Sequence, residues 1–298
     1  MIQFISLALL LGFELSYYLL IIQTGIAQHY HSDLLTLLPL FVGGITGSLV
    51  SGHTWAKITN PLHKISISLC LQLILSLLYP EYSPFSLFLL GLSVGVMAPL
   101  SIYIFQSHQK RELFFALGIA YSVGTYGFAF FTDSKEEMAI IFTCISLISS
   151  FFLSFYKIQL KKEKQSLSIM QILPFIVWIV IDSNLFESLI IHQQMNLWLD
   201  FNYLIIVFHI LGLMAAYLLS FSHIKHHLFI FILFILSYVL FYLEIPLYLA
   251  MIYPFTVSYY NMIVFNMLSK EASLKKLSII MVFIAWIGSG LGLVLALR

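Results

Sequence analysis

Charge is what this sequence has least of. Its 298 residues include 14 basic and 13 acidic ones, 9% of the chain, against about 25% in an ordinary soluble domain. So few charges cannot cover a water-soluble surface, and the mean hydropathy of +0.99 agrees. A soluble enzyme, a nucleic-acid-binding protein and a disordered regulator are thereby excluded. The net charge of +1 offers no bulk attraction to nucleic acid. Cysteine is also scarce. Cys70 and Cys144 lie in apolar blocks without a CxxC neighbour, which excludes a disulfide framework or a cysteine zinc site. No Lys or Arg precedes the first apolar run, which outlasts a signal-peptide core and carries Glu14 at its centre. Despite the small residues Gly25-Ile26-Ala27, it reads as a retained span. Loops longer than about a dozen residues are absent, as is any nucleophile–base pattern, so no enzyme and no cofactor is expected.

What is present is a series of long apolar blocks. Strands of a membrane barrel would alternate polar and apolar residues, so these blocks predict helices, each needing about 20 residues to span. Eleven spans are expected: Gln3–Gly25, Asp33–Gly52, Leu62–Tyr79, Phe85–Phe105, Glu112–Phe131, Met138–Tyr156, Ser168–Ile191, Phe201–Phe221, His227–Leu243, Pro246–Leu268 and Leu277–Leu297. With the N-terminus cytoplasmic, only Lys135 and Arg298 of the 14 basic residues fall outside. Asp33, Glu81, Asp133, Glu136, Glu137, Asp200 and Glu244 face outward. The asymmetry obeys the positive-inside rule, and adding or removing one span would destroy it.

The chain also repeats itself. Glu14 matches Asp182 at an offset of 168 residues, Asp33 matches Asp200 at 167, Pro80 matches Pro246 at 166, and Lys110 matches Lys275 at 165. An even number of spans per unit gives both copies the same orientation, a parallel repeat. The expected organisation is a six-helix half (1–156), a basic cytoplasmic linker (157–167) and a five-helix half (168–298). The counterpart of the sixth span would start near position 303, so a twelfth span is expected to be missing.

The run Leu90-Gly91-Leu92-Ser93-Val94-Gly95-Val96-Met97-Ala98-Pro99 is followed by the basic turn Lys110-Arg111-Glu112 and by Gly118, Gly124 and Gly127. In this glycine-rich fourth span, basic turn, small-residue fifth span and basic central loop, the chain resembles the major facilitator superfamily. The resemblance implies an all-α bundle of two parallel-repeat halves that transports a small solute by alternating access, in a plasma membrane such as a bacterial inner membrane. It also implies that the absent twelfth span would leave a face open to a partner or a second copy, beside the lipid bilayer itself. There are departures. Gly47 to Lys57 has no acid where the family's loop carries Asp, Leu87 stands at the family's span-four Arg, and Thr125 follows Gly124 where antiporters have Pro.

An ionisable group in mid-membrane is a functional candidate. Glu14, Asp182 and Glu187 are the three, expected to bind a cation or take up protons. Glu187 lies five residues beyond Asp182, about 140° around the helix, so the two do not share a face. No Lys or Arg falls within a span core, which argues against an anionic substrate and for a cation, amine, metal ion or neutral solute. Tyr17, Tyr18, Tyr121, Asn184, His209, Tyr260 and Asn261 are expected to line the cavity. His29, His31 and Asp33 have a spacing that imidazole and carboxylate metal sites use. His223-Ile224-Lys225-His226-His227 is expected in a short loop. The competing function is a non-transporting membrane subunit or a metal- or haem-handling assembly factor. A ten-span fold of inverted halves is disfavoured, because six spans precede the central basic loop.

Overall fold

Short polar caps and prolines punctuate an otherwise apolar chain. In the computed structural model, which describes residues 1–30, 34–53, 60–107, 110–131, 134–156, 166–191 and 196–297, the Asn60 side chain accepts the Leu62 N–H at 3.0 Å, with Pro61 opening the helix. Ser83 likewise accepts the Ser86 N–H at 3.2 Å ahead of Pro84, and Ser273 the Lys276 N–H at 3.3 Å. Such caps satisfy amide groups that a helix start leaves bare, and Pro loses nothing in the first turn.

The described residues form helices α1 (Ile2–His29), α2 (Leu34–Ser51), α3 (Pro61–Ser76), α4 (Pro84–Ile104), α5 (Lys110–Phe130), α6 (Lys135–Ser154), α7 (Ile169–Ile191), α8 (Asn202–Leu218), α9 (His223–Tyr242), α10 (Pro246–Leu268) and α11 (Leu274–Ala296). A single turn, Leu197–Asp200, precedes α8. Eight of these helices are long and apolar enough to cross a membrane; α2, α3 and α8 are shorter apolar helices. Two are locally unwound into π-helix, α1 over Tyr18–Ile26 and α11 over Val282–Gly288.

The sequence reading needs one correction here. His223, His226 and His227 are not in a loop but in the first turns of α9. Partners hold them there: His226 Nδ1 meets Tyr259 Oη at 2.7 Å, and Trp178 Nε1 donates to His227 Nδ1 at 3.2 Å.

Packing follows a repeated order. α1 packs on α5 and α6, α2 on α4, and α3 on α4 and α6; α7 packs on α11, α8 on α10 and α9 on α10. Advancing by six helices turns α1·α5, α2·α4 and α3·α4 into α7·α11, α8·α10 and α9·α10. Two other contacts, α2·α11 and α5·α8, change places under the same shift. Outward faces are apolar, with Leu35, Ile74, Phe85, Phe151, Tyr203 and Tyr248 exposed, as a lipid environment requires.

The tightest crossing is α2 on α4. A Cβ on Gly43 would stand 2.1 Å from the Phe88 carbonyl oxygen, and one on Gly95 2.2 Å from that of Gly44. The backbones therefore touch, as small residues permit in membranes. Ser48 Oγ donates to the Gly95 carbonyl at 3.0 Å, and Trp286 Nε1 of α11 donates to Ser48 Oγ at 3.1 Å. Ser51 and Ser278 hydroxyls meet at 2.8 Å. At the same end, the Glu271 carboxylate accepts the Leu167 N–H at 2.8 Å and pairs with Lys276 at 3.4 Å.

Gly95→Leu should cost at least about 3 kcal/mol, since the obstacle is backbone. Gly118→Ala should change stability by no more than about 1 kcal/mol, because its Cβ would meet Ile210 Cδ1 at an ordinary 3.6 Å. Thermal unfolding of the detergent-solubilised variants separates the two.

Candidate functional site

Five helices carry the polar centre. Glu14 comes from α1, Asp182 from α7, Tyr253, Tyr260 and Asn261 from α10, and Tyr121 from α5; His209 joins them from α8. All line one cavity of about 260 Å³, with Tyr18, Gln23 and Thr24 of α1 and Trp286 and Ser289 of α11. The lining includes both acids and no Lys or Arg.

Asp182 is held on both oxygens. Tyr253 donates to Oδ1 at 2.8 Å, and Tyr260 donates to Oδ2. The two tyrosines are seven residues apart, two turns of α10, and so present their rings on one face. Glu14 has a different setting. Its Oε1 accepts from Gln72 Nε2 of α3 at 3.3 Å, and the same amide nitrogen reaches Thr143 Oγ1 of α6 at 3.3 Å. Gln72 Oε1 is buried with no hydrogen-bond partner among the described residues.

A polar chain joins α10 to α5 and α8. Asn261 Nδ2 donates to Tyr121 Oη at 2.7 Å, the Tyr121 ring stacks on His209 at 4.4 Å, and His209 Nδ1 meets Ser258 Oγ at 2.6 Å. Nearby, Asn202 Nδ2 of α8 donates to the Thr125 carbonyl of α5 at 2.9 Å. Ser183 Oγ of α7 donates to the Ser289 carbonyl at 2.9 Å, where the π-helical part of α11 ends.

Of the residues singled out from sequence, Glu14, Asp182, Tyr18, Tyr121, His209, Tyr260 and Asn261 line the cavity. Three others face elsewhere. Tyr17 Oη meets Ser76 Oγ of α3 at 3.1 Å, and Asn184 Oδ1 accepts from Tyr238 Oη of α9 at 2.7 Å. Glu187 is buried on α7 and is not among the lining residues, although it lies close enough to Tyr18 to act on it electrostatically. His29 is exposed and lies 3.7 Å from Glu81; His31 and Asp33 are outside the described residues. Among the described residues no three His, Cys, Asp or Glu side chains form a metal-holding group. Sequence reasoning missed Tyr253 and Gln72. The spacing of Tyr253 from Tyr260 and the isolation of one amide in apolar α3 were the available signals.

No family model and no curated protein matches the sequence. Solved structures do match its fold. One is the MFS (major facilitator superfamily) proton:xylose symporter XylE bound to 6-bromo-6-deoxy-D-glucose, at TM-score 0.65 and 13% identity over 98% of this chain and 87% of that one. Another is FucP, an MFS transporter in the outward conformation, at 0.60 and 14% over 97% and 90%. A third is the human organic anion transporter MFSD10 (TETRAN), at 0.58 and 11% over 99% and 91%. The chain is a multi-pass membrane protein with the MFS transporter fold.

Tyr253→Phe and Tyr260→Phe should each lower stability by about 1–3 kcal/mol, because each leaves an oxygen of a buried carboxyl group without its donor. In an Asp182→Asn background the same substitutions should cost less. Thermal unfolding of the double-mutant cycle measures the coupling.

Proposed function

We propose that this chain is a secondary active transporter, not an enzyme, that carries a small cationic, amine, metal or neutral solute by alternating access, with proton coupling. The carrying observation is that Glu14 and Asp182, on helices six apart in the packing order, line one cavity without a basic residue. Carboxylates in such a place attract cations and exchange protons, and they repel anions. The MFS fold is a scaffold for transport, although function rests on the site rather than on the fold.

Two halves, α1–α6 and α7–α11, move about the site in this reading. The exchanging contacts α2·α11 and α5·α8 support it, since they are the seams along which two repeats would rock. The N-terminus is assigned to the cytoplasm on the distribution of Lys and Arg, which puts α11 running outward in a plasma membrane.

A thermal-shift screen of the purified protein against metals, amines, neutral metabolites and anions, at two pH values, tests the substrate range. A stabilising compound from the first three groups is expected, with concentrative uptake into vesicles that Glu14→Gln and Asp182→Asn abolish while the protein remains folded and inserted. Unchanged uptake in both variants would sink the assignment. A reporter fused at Arg298 should be active outside the cell; activity inside would overturn the eleven-span orientation.

A further inference from the structure

We propose that the two carboxylates have separate tasks: Asp182 anchors the ammonium group of a small arylalkylamine, and Glu14 holds the proton that is exchanged. The inference rests on the transport reading above and deepens it.

Size and wall chemistry define the ligand. An engineered apolar cavity of about 150 Å³ accepts benzene, so roughly 260 Å³ leaves space for one aromatic ring and a short side chain. The walls are aromatic: Tyr18, Tyr121, Trp198, Tyr253, Tyr260 and Trp286 all face the space. Faces of such rings attract a desolvated cation. A polyol would need free hydrogen-bonding groups, and several polar groups of the lining are already engaged. Thr24 Oγ1 donates to the Leu20 carbonyl at 3.0 Å, Ser183 to Ser289, and Asn261 to Tyr121.

Asp182 is built as an anchor. One phenol donates to each of its oxygens, which fixes the carboxylate plane. A carboxylate has about four acceptor positions, so an ammonium can add to those the phenols leave free. Two tyrosine rings then flank the bound charge.

Glu14 is built for a proton. Its partner lies away from the cavity, in the wedge between α3 and α6, where Gln72 bridges it to Thr143. Gln72 Oε1 is a buried acceptor lacking a donor among the described residues. A protonated Glu14 supplies an O–H, and a half-turn of the Gln72 amide presents Oε1 to receive it. Among the described residues, the titratable groups around it include Tyr17, engaged with Ser76, and, on the cavity lining, Tyr18, Asp182 and His209, the last engaged with Ser258; Glu187 lies beside Tyr18. The step is a proton transfer alone. Hydronium on one side of the membrane gives H⁺ to the Glu14 carboxylate and leaves water, water on the other side takes the proton as hydronium, and the amine crosses unchanged.

The test uses the whole chain in proteoliposomes with 2-phenylethylamine, 2-phenylethanol and 3-phenylpropionate as probes. The amine should raise the unfolding temperature, and the alcohol and the acid should not. Asp182→Asn should weaken amine binding at least about tenfold, the scale of one lost charge contact. Tyr260→Phe, which keeps the charge, should weaken it by a smaller factor. Glu14→Gln should weaken amine binding by a smaller factor than Asp182→Asn, still exchange the amine in counterflow, and fail to accumulate it under a pH gradient. Equal binding of amine and alcohol, or unaltered amine binding in folded Asp182→Asn, overturns the anchor. Gradient-driven accumulation by Glu14→Gln overturns the proton role. If a metal ion or neutral solute binds and accumulates while the amine does neither, this inference fails and the transport reading stands. Failure of every class of solute to accumulate ends both.

Discussion

A bilayer offers no hydrogen-bond partners, and that single deprivation organises this molecule. Each backbone amide must be satisfied within its own segment, so the spans are helical. The same rule governs side chains. Lys64, buried at the start of α3, donates to the carbonyls of Ser51 at 3.0 Å and His53 at 2.5 Å. Ser16 returns its hydroxyl to the Gly12 carbonyl at 2.9 Å. Buried or part-buried groups that do not close on their own helix, such as Glu14, Asp182 and Asn261, reach across to another, and all three line the cavity.

Lipid is as apolar as leucine, so helices gain little by hiding leucine from it; close fit and polar contacts must hold the bundle. The α2–α4 crossing shows how. Its glycines bring carbonyl groups within reach of Ser48, and Ser48 in turn receives the Trp286 N–H of α11. A contact within the first six helices thus becomes part of the seam with the later ones. The α8–α10 crossing has one glycine in the comparable role: a Cβ on Gly212 would stand 2.4 Å from the Phe255 carbonyl oxygen.

The helices were legible because a span is a length requirement on apolar residues, which composition satisfies visibly. Glu14 and Asp182 were legible for the complementary reason, as charges where charge is expensive. The facing of neighbours was harder. Tyr17 and Tyr18 adjoin in sequence, yet about 100° of helix sends one to Ser76 and the other to the cavity. Asn184 is two residues from Asp182 and turns to Tyr238. Gln72 was passed over because its importance lies in what stands opposite, a carboxyl group 58 positions away in the chain. The start of α9 at His223 was misread because histidines at a membrane edge resemble a loop until their partners on α7 and α10 are known.

The departures from regular helix are not scattered. The π-helical part of α1 contributes Tyr18, Leu19, Gln23 and Thr24 to the cavity, and that of α11 contributes Ile284, Ala285 and Trp286. Wide turns misalign carbonyl groups, which is tolerable in a membrane only where protein supplies partners. Here it does: Lys135 Nζ of α6 donates to the Thr24 carbonyl at 2.5 Å, and Thr24 itself caps Leu20. Irregular turns are also where a helix bends at least cost. The helices that carry the polar lining can therefore deform beside it, and movement of the π-helical part of α11 reaches the glycine-locked α2–α4 pair through Trp286 and Ser48. The irregular turns and the two acids thus border one cavity.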